Sequence, residues 1–302
     1  MSDSDLAKEQ RHIDSLDSAQ KSYYTQPKVE YPSKKEIEIY SKYKNEIPSK
    51  SIFVGAMIDS DSIARGGAFL VMKNRKLFLV TAYHIVPGFN ALDTSENESG
   101  FRIPNKLRIY FHSQKQTDPP KELTVDLYLN HKRTFFSIPP SFLKSGLELP
   151  REVLDIIFLP LELNKLPKGI LLDTVNLYDK DVVVNDGDLV SVWGFADTLK
   201  NKYPTTDTAI IKNPKITSMA TYVPENGVYG YYTMHKSFDG NSGGLVYTYL
   251  SDGAHFIGCH VAGVYKSDRS VHPAFKDGTR FQQVGQMITK TEIRKAMEKF
   301  AN

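Results

Sequence analysis

From Ser51 onward the chain is a succession of short apolar runs broken by turn-forming residues. "SIFVGAMI", "GGAFLVMK", "KLFLVTA", "KLRIYFH", "ELTVDLYL" and "DIIFLPLE" fill its first half. "DVVV", "DLVSVWGF", "GVYGYYTM", "GLVYTYL", "HFIGCHVAGVY" and "RFQQVGQM" fill its second. They are rich in Val, Ile, Tyr and Phe and separated by Asn, Asp, Gly and Pro, which predicts an all-β barrel or sandwich. In "YLSDGAHF", Asp252-Gly253 lies between two such runs and predicts a tight hairpin. The period then changes. Thr289 and Glu292 have capping-box spacing, and Ile293, Ala296, Met297 and Phe300 recur at i, i+3, i+4 and i+7, so the chain ends in a helix. The 302 residues accommodate two barrels of roughly 120 residues each.

Residues 1–50 have a different texture. They carry nine basic and nine acidic residues, no glycine and two helix-like segments. In the second segment Ser33 and Glu36 have capping-box spacing, and Tyr40, Tyr43 and Ile47 can form one stripe. The division is thus an N-terminal extension over 1–50, a first β unit over 51–170, and a second β unit with the terminal helix over 171–302. The mixed charge of the extension argues against a nucleic-acid arm. A net charge of +3 adds no case for an acidic partner.

No apolar run approaches the length of a membrane span, and the N-terminus lacks the basic and apolar regions of a secretory signal. The single cysteine, Cys259, precludes an intrachain disulfide. These features lead us to expect a reducing, cytoplasmic setting without membrane or nucleic-acid partners. No ligand cluster calls for a metal, and no motif for a cofactor.

Ser242 in "HKSFDGNSGGLVYTYL" raises the question of chemistry, because glycines flank it at 240, 243 and 244. A serine nucleophile needs a base, and the base needs a group that holds its tautomer. Of eight histidines, His84 stands just past the apolar strand "KLFLVTAYHIV", where it can lean into a cleft. Asp155 heads the strand "DIIFLPLE", where a carboxylate must find a donor. Asp126 in "LTVDLYLN" is a rival. The segment around Ser242 also satisfies G-x-S-x-G. That nucleophile elbow, however, needs a following helix and the order Ser, acid, His, whereas here a strand follows and the order is His, Asp, Ser.

The motifs in order, "GGAFLV", "VTAYHIV", "LDIIFLPLE" and "GNSGGLVY", resemble those of chymotrypsin-fold (trypsin-like) serine proteases over residues 51–302. The pattern is most similar to disulfide-free bacterial glutamate-specific endopeptidases and viral processing proteases. The resemblance implies two antiparallel β-barrels with a C-terminal helix and a helical N-terminal extension. It implies a serine endopeptidase acting on protein or peptide substrates, with His84 as general base, Asp155 as its orienter and Ser242 as nucleophile. The backbone N–H groups of Gly240 and Ser242 would form the oxyanion hole. Lys236 and Ser237 would lie at the specificity pocket, and the absence of an aspartate there argues against a preference for Lys or Arg. "IGCHVAGV" resembles the segment in which a histidine, here His260, donates to a P1 Glu or Gln. The backbone of Val261, Ala262 and Gly263 would pair with substrate.

Several positions depart from the pattern. Tyr83 replaces a small residue before the histidine, Val261 replaces a frequent serine near the acid, and Asn241 replaces the aspartate that pairs with a freshly cut N-terminus. "SKSIFVGA" only loosely resembles an activation site after Lys50, so residues 1–50 are expected to stay attached and pack or dock a regulatory partner. The alternative to an enzyme is a catalytically degenerate scaffold that binds peptides. A Cys259 hydrolase is disfavoured because that residue lies mid-strand with its side chain opposed to that of His260.

Overall fold

The computed structural model describes residues 34–43, 47–58, 60–86, 104–115, 117–130, 132–137, 155–185, 188–195, 215–223, 229–234, 240–264 and 283–300. Helix α1 (Lys34–Tyr43) leads through a short 3-10 turn at Pro48–Lys50 into β1 (Ile52–Ile58). The first half continues with β2 (Asp61–Lys73), β3 (Lys76–Thr81), β4 (Lys106–Phe111) and β5 (Lys121–Asp126). The short strands β6 (Tyr128–Leu129), β7 (Lys132–Arg133) and β8 (Phe136–Ser137) precede β9 (Ile157–Leu161). The second half comprises β10 (Leu189–Gly194), β11 (Lys215–Val223), β12 (Tyr229–Met234), β13 (Leu245–Leu250), β14 (Gly253–Val264) and β15 (Gln283–Thr289). Helix α2 (Lys290–Phe300) follows. The chain is thus mostly β with a C-terminal helix, and all ladders between named strands are antiparallel.

The second half is a closed barrel in the order β10-β11-β12-β15-β14-β13. The first half departs from the closed barrel expected of it. Among the described residues it is an open sheet, β5-β4-β1-β2-β3-β9-β8, whose edge strands do not pair. β5 (KELTVD) alternates half-buried and exposed positions, so it is built as a solvated edge. "ELTVDLYL" is interrupted at Leu127, which turns fully inward and donates its N–H to the Asn105 carbonyl at 2.8 Å.

One further expectation fails in the second half, and one strand there is additional to those expected. "DVVV" is not a strand: Asp181 at its head is taken by α2, where Arg294 makes two hydrogen bonds to the carboxylate at 3.2 and 2.6 Å. Lys290 lies 3.6 Å from the same carboxylate and donates to the Asp179 carbonyl at 2.8 Å. β11 was not foreseen, since "KITSMATYV" mixes hydroxyl and apolar residues without a clean alternation.

The helices follow their patterns. Glu292 N–H donates to Thr289 Oγ1 at 3.4 Å, the N-cap expected for α2. Ile293, Ala296 and Met297 are buried. Tyr40 and Tyr43 of α1 pack on the core beside the fully buried Ile47. The extension therefore packs in this part, while its first helix-like segment lies outside the described residues. Lys50 pairs with Asp173 at 2.5 Å and Ser51 is buried at the start of a strand paired on both sides. A cut after Lys50 would place a charged amine on that buried residue.

The halves pack side chains together, Phe69 on Phe256 and Phe53 on Phe195, and at the Ser242 loop they meet backbone to backbone. Gly67 N–H donates to the Ser242 carbonyl at 2.7 Å. A Cβ on Gly66 would overlap the Ser242 carbonyl, and one on Gly67 would sit 3.1 Å from the Gly244 nitrogen. Gly243, at φ +79°, lies so close to Gly67 that a Cβ there would overlap its carbonyl. Gly169 shares a left-handed backbone, φ +75°, but nothing lies within 4 Å of its Cβ position.

This pair separates backbone strain from crowding. Gly169→Ala should cost about 1–2 kcal/mol of stability, whereas Gly243→Ala should cost more than about 4 kcal/mol. Thermal melts followed by circular dichroism check this; equal shifts would refute close packing at the seam.

Candidate active site

The register of the first sheet brings a base and a carboxylate together. β3 pairs with β9 so that Thr81 faces Ile157. His84 lies just past the end of β3, on a 3-10 turn (Tyr83–Ile85), and Asp155 lies just before the start of β9. Past both strand ends that register brings them within one residue of each other, and the 3-10 turn swings His84 onto the carboxylate. His84 Nδ1 is 2.6 Å from Asp155 Oδ2, and the His84 backbone N–H donates to Oδ1 at 2.9 Å. The carboxylate is held through both oxygens. Asp126, the rival, sits exposed at the end of β5, four strands from β3, or about 19 Å at ordinary strand spacing.

The third residue comes from the second half. His84 Nε2 is 2.8 Å from Ser242 Oγ. The two contacts on one imidazole fix its tautomer: Nδ1–H toward the carboxylate leaves Nε2 to accept from the hydroxyl. The loop carrying Ser242 is fixed by its main chain. Gly243 N–H donates to the His260 carbonyl at 2.8 Å, His260 N–H to the Gly244 carbonyl at 2.8 Å, and Phe195 N–H to the Gly240 carbonyl at 3.4 Å. Gly240 has φ +93°, open only to glycine at low cost. Among the described residues, no acceptor takes the N–H of Gly240 or of Ser242. The fully buried amide of Asn241 makes no hydrogen bond to the described protein groups.

Thr81 was overlooked in the sequence although it stands three residues before His84. Its buried hydroxyl donates to the Gly67 carbonyl at 2.7 Å, and Gly67 N–H holds the Ser242 carbonyl. The histidine's strand is thereby tied to the serine's loop through one residue, Gly67. The only sequence signal is a hydroxyl at the apolar end of a strand, which must find an acceptor once buried.

The remaining expected residues divide. Tyr83 packs against the core. His260 is buried at 1% exposure, directly behind the Ser242 loop. Val261 is also buried and sits at a bulge between the pairs His260–Met287 and Ala262–Gln286. Ala262 and Gly263 continue the ladder with β15, while β13 stops pairing at Cys259. Among the described residues, no strand occupies the other edge of 261–264. Lys236 and Ser237 lie outside the described residues.

Electrostatics sort the titratable groups. Burial lowers the His84 pKa, but the charge of Asp155 and the hydrogen bond to it outweigh that, and the net shift is upward. Burial, with repulsion from His84, pushes His260 down to about 3, so it is neutral. Burial pushes the Cys259 thiol well above its ordinary range, with the Asp155 charge acting the same way. A nucleophilic thiolate is disfavoured there. Among the described residues, no group of three His, Cys, Asp or Glu could hold a metal ion, and no helix is long and apolar enough to cross a membrane.

No family model and no curated protein matches the chain. Among solved structures, it is similar to the crystal structure of a serine endoprotease from Yersinia pestis. The identity is 11% and the TM-score 0.46, over 89% of this chain and 67% of that chain.

His84 should titrate by NMR above the ordinary imidazole value of about 6.5, and Asp155→Asn should bring it down. His260 should remain neutral to below about pH 4. A His84 midpoint at or below 6.5 in the native chain would contradict the pairing.

Proposed function

We propose that the chain is a serine endopeptidase that hydrolyses peptide bonds through an acyl-enzyme. One observation carries the reading: a single imidazole, that of His84, bonded to Asp155 on one nitrogen and to Ser242 on the other. The three residues come from three loops and meet where the two halves join. Ser242 Oγ attacks the substrate carbonyl as its proton passes to His84 Nε2. The imidazolium is stabilised by Asp155, which stays ionised. The same proton is then given to the leaving amine nitrogen, and water repeats the sequence on the ester. The open N–H groups of Gly240 and Ser242 would receive the oxyanion, each worth about 3 kcal/mol.

Substrate would add as a strand to the unpaired edge at 261–263. A P1 preference for Gln or Glu is assigned to the position of His260, whose neutral imidazole lies behind the nucleophile loop. Lys236 and Ser237 would complete that pocket. The domain division at about residue 170, with the site at the junction, belongs to the same proposal, as does a protein or peptide as substrate.

The test is direct. The wild-type chain should cleave peptides and be labelled on Ser242 by a fluorophosphonate; Ser242→Ala should lose both. Because His84 must be neutral to act, activity should rise with pH through its raised pKa and disappear below it. A P1-varied peptide library should give Gln or Glu as the best residue. A chain that binds peptides equally with and without the Ser242 hydroxyl, and cleaves none, would be the degenerate scaffold instead.

A further inference from the structure

Helix α1 lies outside the three-residue constellation, yet a short path of side chains links it to the nucleophile loop. Tyr40 stands edge-on to Tyr249 of β13, ring centroids 5.2 Å apart and planes at 87°. One turn on, Tyr43 Oη donates to the Ser251 carbonyl at 3.3 Å. Both contacts seat the helix on β13, with Ile47 buried beyond it.

Beneath Tyr40 is a closed polar cluster. The Tyr249 hydroxyl lies 2.6 Å from Ser191 Oγ, and Trp193 Nε1–H is shared between Ser191 Oγ at 2.9 Å and Tyr249 Oη at 3.3 Å. All three residues are at most 5% exposed. In such a dry place each hydrogen bond is costly to leave unmade, so the cluster fixes where Trp193 sits. Burial, partly offset by these bonds, pushes the Tyr249 phenol up to about 12, so it remains a neutral hydroxyl.

Trp193 begins the floor on which Ser242 rests. A Cβ on Gly244 would fall 2.5 Å from the Trp193 carbonyl. At Gly194, a Cβ would fall 3.3 Å from the Gly240 carbonyl and 3.4 Å from the Asn241 Cα. Phe195 N–H holds the Gly240 carbonyl. Residues 193–195, at and just past the end of β10, therefore touch the loop at three of its five residues, 240–244. Asn241 adds no side-chain hydrogen bond of its own among the described residues.

We propose that α1 is a positioning element for Ser242: by closing over the Tyr249–Ser191–Trp193 cluster, Tyr40 holds the stretch of β10 that supports the nucleophile loop. This rests on Ser242 being the nucleophile. It gives the N-terminal extension a role that needs no cleavage. A protein partner that draws α1 off β13 lowers the reactivity of Ser242 while the barrel remains folded.

The test uses the full chain with Tyr40→Ala, Tyr40→Phe and Tyr249→Phe. The last removes only the hydroxyl and keeps the core filled should Tyr40→Ala fold poorly. Trp193 is the sole tryptophan, so its emission reports on the cluster without a label. Tyr40→Ala and Tyr249→Phe should shift that emission and slow fluorophosphonate labelling of Ser242 by roughly tenfold or more, through kcat rather than KM with a peptide substrate. Tyr40→Phe should restore both, since the ring edge suffices. Wild-type labelling rates in folded Tyr40→Ala and Tyr249→Phe would overturn the proposal alone. A wild-type chain that is never labelled would overturn the endopeptidase reading, and this proposal with it.

Discussion

The organisation depends on a main-chain contact between the halves at the Ser242 loop, set into the apolar core they share. Gly66 and Gly67 in β2 and Gly243 before β13 let the two halves approach closer than any side chain would allow. That approach carries the Ser242 carbonyl to the Gly67 N–H and the Ser242 hydroxyl to His84. Neither half holds the three residues by itself: the base and carboxylate belong to the first sheet, the hydroxyl to a loop of the barrel. A methyl group at the seam would push the halves apart, and a displacement of about 1 Å is enough to spoil such geometry. Thr81 adds a hydroxyl to the carbonyl of the same glycine, Gly67, from the histidine's own strand.

Of the two imidazoles described beside the Ser242 loop, His84 is drawn toward its charged form and His260 is held away from it. His84 and His260 flank the Ser242 loop and share the influence of Asp155, but burial dominates for His260 and the hydrogen-bonded carboxylate for His84. Two cations side by side would be costly in that low-dielectric setting. Keeping His260 neutral leaves the single charge that forms during proton transfer opposite Asp155. Cys259, on the neighbouring position of β14, is kept protonated by the same burial.

Much of this was legible in the sequence because strand ends and turns carry strong local signals. The apolar run that stops at Thr81 placed His84 past a strand end, and the run beginning at Ile156 placed Asp155 before one; antiparallel pairing then brings such positions together. The glycines around Ser242 announced an unusual backbone but not its partner, since a contact with Gly66 and Gly67 spans some 175 residues of chain and leaves no local pattern. The same reason hides Tyr40 on Tyr249. "DVVV" misled because β-branched composition reports fit to a pleated surface, whereas Val183 is left 79% exposed and Asp181 answers to the cations of α2. The open first sheet was illegible because closure depends on whether edge strands meet, and β5 differs from an inner strand only in its charged, half-exposed alternation.

The link between Asp181 and α2 has a consequence of its own. It joins the segment that enters the barrel to the helix that leaves it, so this half of the molecule closes twice. Hydrogen bonds close it around the strands, and a clasp of opposite charges closes it between its first and last segments. The first closure is indifferent to salt. The second is about half exposed on its acidic side and is screened within a Debye length of roughly 8 Å at physiological ionic strength. Ionic strength thus acts on how firmly the chain's exit is latched, leaving the barrel wall and the seam with the first half untouched.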